Sequence, residues 1–121
     1  MDDNRLCILQ LNANRSKDKV MRPLMLHNRT QKIDILLIQE PWRNPYSHTT
    51  HNPDRDTWDL IYAASPGTRS CIFINKKRIA QDSWSVIHLE EDICGVEVRI
   101  TRRSQVKMKA MDHKEKWRHS G

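Results

Sequence analysis

The stretch that decides the fold is ILLIQEPW at Ile35–Trp42, where an apolar run leads directly into Gln, Glu and Pro. The run Ile33–Ile38 is apolar apart from Asp34, which is typical of a parallel strand buried on both faces. Pro41 ends the strand, because proline cannot donate to a strand ladder. Glu40 therefore stands where a strand meets a loop, either as a solvated strand end or as a metal ligand at the rim of a sheet.

The residues before this stretch predict a strand and a helix. Arg5–Leu11 (RLCILQL) is a short apolar run between polar residues, which predicts a buried strand. A loop follows, and Ser16 or Asp18 can cap the next element. Lys19–Gln31 carries its apolar residues on one helical face, with Pro23 in the first turn, where its missing N–H costs little. The crossover of about 21 residues is long enough for a parallel βαβ unit.

A long loop and several short strands are predicted downstream. Residues 41–57 form a polar loop with three prolines, and a loop of this length is usually functional or disordered. Two alternating runs joined by Glu-Glu-Asp predict an antiparallel pair, with Trp84, Val86 and His88 on one face of the first. After Ile100 the strand pattern ends, and only weak helical character remains. The strands predicted here are Trp58–Ala63, Ser70–Asn75, Trp84–Leu89 and Ile93–Ile100.

Composition indicates a small protein of a reducing compartment. The chain has 121 residues, which suits one domain at most. It contains no run of 18 apolar residues, and its acidic N-terminus does not match a secretory signal. Cys7, Cys71 and Cys94 each lie among apolar neighbours, which predicts buried free thiols. We therefore expect the nucleus or cytoplasm as the location, and no membrane partner.

Charge is spread unevenly along the sequence. Residues 102–121 hold seven Lys or Arg and two Asp or Glu, a net charge of +5, whereas residues 1–101 carry +1. We accordingly predict a domain over 1–101 and a basic, disordered or degenerate tail over 102–121. Such a tail can also bind nucleic acid, by phosphate contacts and stacking. The residues expected to do so are Lys107, Lys109, Lys114, Lys116, Trp117 and Arg118.

Two polar residues follow the two strands of the predicted βαβ unit. Asn12 comes after the first strand and Glu40 after the second, so both are expected at one edge of the sheet. Carboxylate and amide oxygens are hard ligands that suit Mg²⁺. The alternative is that Asn12 is a turn residue and Glu40 a solvated end. His48 and His51 are three residues apart in the long loop, but without a third ligand they are expected to be solvated.

The combination of LQLNANRS (Leu9–Ser16) and DILLIQEPW (Asp34–Trp42) resembles the start of the endonuclease/exonuclease/phosphatase superfamily. It is most similar to the apurinic-type endonuclease domain of non-LTR retrotransposons, which often carries Gln-Glu-Pro-Trp after its second strand. The later SPGTRSCIFIN (Ser65–Asn75) resembles the strand that follows the variable loop of that family. The similarity extends over about residues 5–101.

The resemblance implies a Mg²⁺-dependent enzyme that nicks DNA, with no small-molecule cofactor besides the metal. Glu40 maps to the family's metal ligand, and Asn12 maps to the asparagine that helps to order the metal and phosphate site. The implied fold is α/β, the first half of a four-layer α/β sandwich whose mixed sheet starts with a βαβ unit.

The sequence also departs from the family. A full domain is roughly twice as long, and its second half supplies a tyrosine, an Asp-x-Asn pair and a late Ser-Asp-His that have no match here. Asp112-His113 lies too early to be that histidine pair. We therefore expect a truncated endonuclease domain that is inactive alone, with the tail as the end of a frameshifted or prematurely stopped reading frame. The alternative is a non-catalytic nucleic-acid-binding module that uses the basic tail.

Overall fold

The first sheet starts with the predicted parallel unit. The fold is described from a computed structural model, which describes residues 6–47, 49–63, 65, 67–100 and 104–111. Strands β1 and β2 run parallel, while β4 is antiparallel to both of its neighbours, so the sheet is mixed. Its order is β1-β2-β4-β3. The strands are β1 (Ile8–Asn12), β2 (Ile35–Gln39), β3 (Trp58–Ile61) and β4 (Ser70–Asn75).

A second, antiparallel sheet contains one strand more than predicted. It consists of β5 (Trp84–Leu89), β6 (Ile93–Arg99) and β7 (Gln105–Met111), in that order. The predicted pairing of β5 with β6 is confirmed. The prediction that the strand pattern ends at Ile100 was wrong, because β7 pairs with β6 along its whole length. The described part of the chain is therefore a mixed α/β structure with two sheets.

The alternation of β7 explains this correction. Met108 and Ala110 are buried, while Lys107 and Lys109, which alternate with them, are exposed. A strand places successive side chains on opposite faces, so this two-residue period fits a half-buried strand and not a helix. Residues 105–111 therefore belong to the second sheet.

The crossover between β1 and β2 is helical but broken. A π turn at Lys17–Met21 leads into α1 (Arg22–Leu26), and a 3-10 turn follows at Asn28–Lys32. The interruption lies at His27, whose backbone is extended with ψ of 139°. The prediction of one continuous helix over Lys19–Gln31 was therefore wrong, although this segment is helical in character.

Local signals within the crossover are confirmed. Ser16 Oγ accepts a hydrogen bond from the Lys19 N–H at 3.3 Å, so Ser16 is the cap. Pro23 lies in the first turn of α1, as expected. Met21 and Met25 of the predicted apolar face are buried against the first sheet. The buried face thus survives the break in the helix, because tertiary packing supports most of the stability of a short helix.

The first sheet lies between the crossover and the second sheet. Leu36 and Phe73 face the crossover, whereas Leu37 and Ile72 face Val96 and its neighbours on the second sheet. Successive residues of β2 and β4 therefore contribute to two different cores, which is why all residues of both strands are buried. Within the described part of the chain, no helix is long and apolar enough to span a membrane.

Strand β1 lies at the edge of its sheet and is not the buried strand that was predicted. Ile8 is 44% exposed, and only alternate residues of β1 are partly buried. The second sheet packs mainly against β2 and β4 and leaves β1 largely uncovered. For the same reason Cys7 is exposed, contrary to prediction. Cys71 and Cys94 are buried free thiols, as predicted.

A bulge changes one face assignment in β5. Val86 pairs with Val96 but His88 pairs with Gly95, so the register shifts between them. A bulge residue breaks strict alternation. His88 therefore lies over Gly95 on the outer face of the second sheet, and not on the same face as Trp84 and Val86. A Cβ on Gly95 would lie 3.2 Å from the His88 Cβ, so glycine suits this position.

Asp34 ties three segments together at the start of β2. It is fully buried, and its carboxylate accepts hydrogen bonds from Arg78 Nε at 2.7 Å and from the Cys7 N–H at 2.8 Å. Its backbone carbonyl accepts from the Asn75 N–H at 2.9 Å. These contacts fix the end of β2 that lies opposite Glu40.

Candidate functional site

The first sheet brings Asn12 and Glu40 to the same edge. Asn12 pairs with Gln39 in the parallel ladder, and the Ala13 N–H donates to the Gln39 carbonyl at 2.8 Å. Glu40 directly follows Gln39. Both residues therefore lie at the carboxyl ends of neighbouring parallel strands, which lie about 4.8 Å apart in a sheet.

The backbone at this edge is strained. Among the described residues, Asn14, Arg15 and Glu40 are the non-glycine residues with positive φ, at 52°, 57° and 51°. A left-handed backbone costs about 1–2 kcal/mol for a residue with a Cβ. Such strain persists only where the surrounding structure enforces it, and it tends to gather at functional sites. All three residues lie where β1 and β2 end.

Hydrogen bonds hold the two strand ends in this conformation. The Arg15 N–H donates to the Glu40 carbonyl at 2.7 Å, and the Glu40 N–H donates to the Arg69 carbonyl at 2.8 Å. Asn12 Oδ1 accepts from the Asn14 N–H at 2.8 Å, which makes a local turn. Asn12 is therefore a turn residue, as the alternative held. Its amide oxygen lies at the edge of the sheet and is of a type that can also bind a metal ion.

The Glu40 carboxylate is enclosed by protein. Its side chain is only 4% exposed, so it is not the solvated strand end of the alternative interpretation. Its Oε2 accepts from Arg15 Nε at 3.0 Å, in an ion pair whose arginine side chain is 68% exposed. A buried carboxylate is costly unless cations and hydrogen bonds compensate for its lost hydration. The site is thus built to accommodate a negative oxygen.

A cleft of about 370 Å³ is lined by three arginines and by Pro41, the residue that follows Glu40 in the chain. Arg43 Nη1 donates to the Ser65 carbonyl at 3.3 Å, and Arg69 lies 3.9 Å from the Asp92 carboxylate. Guanidinium groups match phosphate oxygens in planar, paired geometry. The lining includes Arg15, Trp42, Arg43, Thr68, Arg69 and Glu91.

The turn between β5 and β6 positions the loop that carries Arg69. Glu91 accepts from Ser65 Oγ at 2.6 Å with its side chain and from the Arg69 N–H at 2.6 Å with its carbonyl. The Glu91 carboxylate lies so close to Gly67 that a Cβ there would overlap it. A larger residue at position 67 would therefore displace the Glu91 carboxylate from its present place. These contacts connect the second sheet to the site on the first.

Trp42 anchors the long loop next to the cleft. Lys17 Nζ lies 4.7 Å from the Trp42 ring centroid, and the His51 ring contacts the Trp42 ring edge-on at 6.2 Å. His51 is partly buried, so it is not the solvated histidine that was expected. Burial, with the nearby charges of Lys17 and Arg22, lowers the pKa of His51. His48 lies outside the described residues.

The residues at the sheet edge fit Mg²⁺ by donor chemistry. Mg²⁺ is usually held by one or two carboxylates together with waters and substrate phosphates. Glu40 supplies the carboxylate, Asn12 an amide oxygen, and the cleft a place for a phosphate. In the described part of the chain, no cluster of three His, Cys, Asp or Glu side chains forms a fuller ligand set. The donors available at this edge are therefore one carboxylate and one amide oxygen.

The predicted tail residues are only partly described. Lys107 and Lys109 are exposed on β7, and Lys107 Nζ lies 4.0 Å from the Glu97 carboxylate. They face outward on the second sheet, because Met108 and Ala110 face the core. The other residues predicted to bind nucleic acid lie outside the described residues: Lys114, Lys116, Trp117 and Arg118.

The arginine cluster was missed by sequence reasoning. Arg15, Arg43 and Arg69 are more than 25 residues apart along the chain, and the net charge of residues 1–101 is only +1. A near-neutral total conceals a local concentration of like charges. The signal that could have found the cluster was the position of the arginines in the sequence, since each lies within a few residues of the start or end of a predicted strand.

Neither a scan against models of known protein families nor a search of curated proteins found a match.

Proposed function

We propose that this chain is the N-terminal half of a Mg²⁺-dependent DNA endonuclease of the endonuclease/exonuclease/phosphatase type. One observation carries the proposal: Glu40, a buried carboxylate, follows the strand next to the one that ends at Asn12, and it pairs with Arg15, which lines an arginine-rich cleft. The Gln-Glu-Pro-Trp motif supports it, because this carboxylate occupies the position that the resemblance assigns to the metal ligand.

Each residue then has a defined role. Glu40 and Asn12 would hold the metal through their side-chain oxygens, and Arg43 and Arg69 would bind phosphates of the nucleic acid in the cleft. The bound metal supplies charge stabilisation at a phosphoryl oxygen and at the leaving oxygen. Enclosure of the Glu40 carboxylate excludes water from one side of the site, which strengthens its electrostatic interactions.

The layer order supports the finer assignment of the fold. The described chain stacks a helical crossover, a mixed sheet and an antiparallel sheet. We propose that these are three layers of a four-layer α/β sandwich. In that arrangement a further helical layer covers the outer face of the second sheet, where Lys107 and Lys109 are now exposed.

Catalysis requires groups that the described residues do not bring to the cleft. No histidine lines the cleft among the described residues, and its one lining carboxylate, Glu91, is engaged by Ser65. Without a general base to activate water, we expect nicking of supercoiled plasmid to stay at background in Mg²⁺. Robust nicking that Glu40→Gln abolishes would contradict this inactivity, while it would support the site.

The site itself is tested by metal-dependent DNA binding. Fluorescence anisotropy of a labelled duplex is measured in Mg²⁺ and in EDTA for the wild type and Glu40→Gln. We expect Mg²⁺ to raise the affinity of the wild type and to have no such effect on Glu40→Gln. Glu97→Gln is the matched control, since that glutamate lies on the second sheet next to Lys107. An equal Mg²⁺ effect in all three proteins refutes the proposed site.

A deletion distinguishes the alternative, a binding module that uses the basic tail. Because β7 is part of the second sheet, the deletion should begin after Met111. Binding that survives removal of residues 112–121 and still depends on Mg²⁺ favours the endonuclease half. Binding that is lost with these residues, and that falls steeply with salt in the full chain, favours the module.

A further inference from the structure

Arg15 is paired with the carboxylate that the proposed metal requires. Its Nε donates to Glu40 Oε2 at 3.0 Å. A divalent cation that binds this oxygen would meet a guanidinium already placed there. Two cations that share one carboxylate oxygen repel each other, and they compete for the same lone pairs. The contact therefore has a direct consequence for metal binding.

The backbone of Arg15 is held in place, whereas its guanidinium is largely exposed. The Arg15 N–H is fixed to the Glu40 carbonyl at 2.7 Å, and its left-handed backbone is part of the strained sheet edge. Its side chain, in contrast, is 68% exposed and also lines the cleft. A long exposed side chain can change rotamer rapidly once its hydrogen bond is broken. The guanidinium can thus leave Glu40 while the backbone keeps its place.

We propose that Arg15 is a substrate-binding residue that pairs with Glu40 until a divalent cation binds that carboxylate, and then turns into the cleft to bind a nucleic-acid phosphate. This inference rests on the proposed function, because it takes Glu40 as the metal ligand. Arg43 and Arg69 already border the same cleft, so the released guanidinium would complete a set of three. Phosphate offers Arg15 the paired acceptor geometry that it loses at Glu40.

Two effects follow from this exchange. Arg15 weakens metal binding in the absence of substrate, because the metal must displace it. Metal and phosphate then strengthen each other's binding, and by linkage the two effects are equal in size. Since the ion pair is largely exposed on its arginine side, we expect its removal to lower the dissociation constant of the metal by about two- to fivefold.

The experiment measures binding of Mn²⁺ to the full chain by electron paramagnetic resonance, with Mg²⁺ as competitor. Arg15→Asn is the test variant, because asparagine tolerates the left-handed backbone at this position. Arg43→Gln is the matched control, since Arg43 lines the same cleft but donates to the Ser65 carbonyl. We expect Arg15→Asn to bind Mn²⁺ more tightly than the wild type, and Arg43→Gln to change the affinity less.

The outcomes separate this inference from the proposed function. If Glu40→Gln binds Mn²⁺ like the wild type, both are refuted. If Glu40→Gln loses binding but Arg15→Asn binds no more tightly than the wild type, only the role of Arg15 is refuted.

A second measurement needs no variant of Arg15. In the wild type, NMR should show a protected Arg15 Nε–H resonance that loses its protection when Mg²⁺ is added. Protection that persists while Glu40 binds the metal overturns the exchange.

Discussion

Asp34→Asn should destabilise the fold strongly, while leaving the proposed site intact. Asp34 is fully buried and paired with Arg78 at 2.7 Å. Removing one partner of a buried ion pair costs about 3–5 kcal/mol. The arginine side chain is 27% exposed and can reach water, so we expect a smaller cost of about 2–3 kcal/mol. For a slope of about 1.5 kcal/mol/M, the urea midpoint should fall by about 1–2 M.

The matched control is Asp59→Asn. Asp59 also pairs with a basic residue, Lys76, but at 3.7 Å and with both side chains partly exposed. Exposed pairs of this kind contribute about 0.2–1 kcal/mol. Urea unfolding followed by circular dichroism compares the two variants under the same conditions. If Asp34→Asn costs no more than Asp59→Asn, the buried pair does not stabilise this fold, and the structural role of Asp34 is refuted.

Three further predictions concern the thiols, the loop histidine and the last strand. In native protein at pH 8 a thiol reagent should modify only Cys7, because burial raises the pKa of Cys94 to about 12 and the pKa of Cys71 well above its usual value. Rapid modification of all three thiols would refute the packing of Cys71 and Cys94. Folding lowers the pKa of His51, so the unfolded state binds more protons below pH about 6.5; the wild type should lose more stability on acidification through that pH than His51→Asn, as measured by urea unfolding at several pH values. Met108→Ala should cost about 2–3 kcal/mol and Lys109→Ala less than about 0.5 kcal/mol; equal costs in thermal unfolding would mean that β7 does not pack as described.

The parts of the fold with unambiguous periodicity could be predicted from the sequence. Ser70–Asn75 and Trp84–Leu89 were predicted with the bounds that the structure has. The parallel unit followed from two apolar runs separated by a long helical segment. These features depend on residues near one another in sequence, which is where hydrophobic patterns carry the most information.

Misses occurred where a local pattern had two interpretations. The residues of β7 alternate apolar and basic side chains, but methionine and lysine also favour helices, and no turn signal marked the start of the strand. His88 was assigned to the wrong face because a bulge cannot be read from alternation. Cys7 was predicted to be buried because its neighbours are apolar, whereas its exposure depends on which strand is at the sheet edge.

The positions of Asn12 and Glu40 could be predicted from the sequence, whereas the arginine cluster could not. Asn12 and Glu40 follow adjacent parallel strands, and topology alone places such residues at one edge. The arginine cleft needs the second sheet, because Glu91 of the β5–β6 turn holds the loop that carries Arg69. Contacts of this kind connect residues that are distant in sequence, and they cannot be inferred from a single sequence.

Strand β2 has a carboxylate at each end, and their surroundings assign them different tasks. Asp34 is held by a short ion pair and by the Cys7 N–H at an end with no adjoining arginine-lined cleft among the described residues. Glu40 pairs with an exposed arginine, on a strained backbone, beside a cleft. A carboxylate that only stabilises a fold gains nothing from strain or from a replaceable partner. Because the exposed Arg15 can reach water when its partner is removed, the Glu40→Gln variant should lose less stability than Asp34→Asn, and its main defect should appear in metal binding.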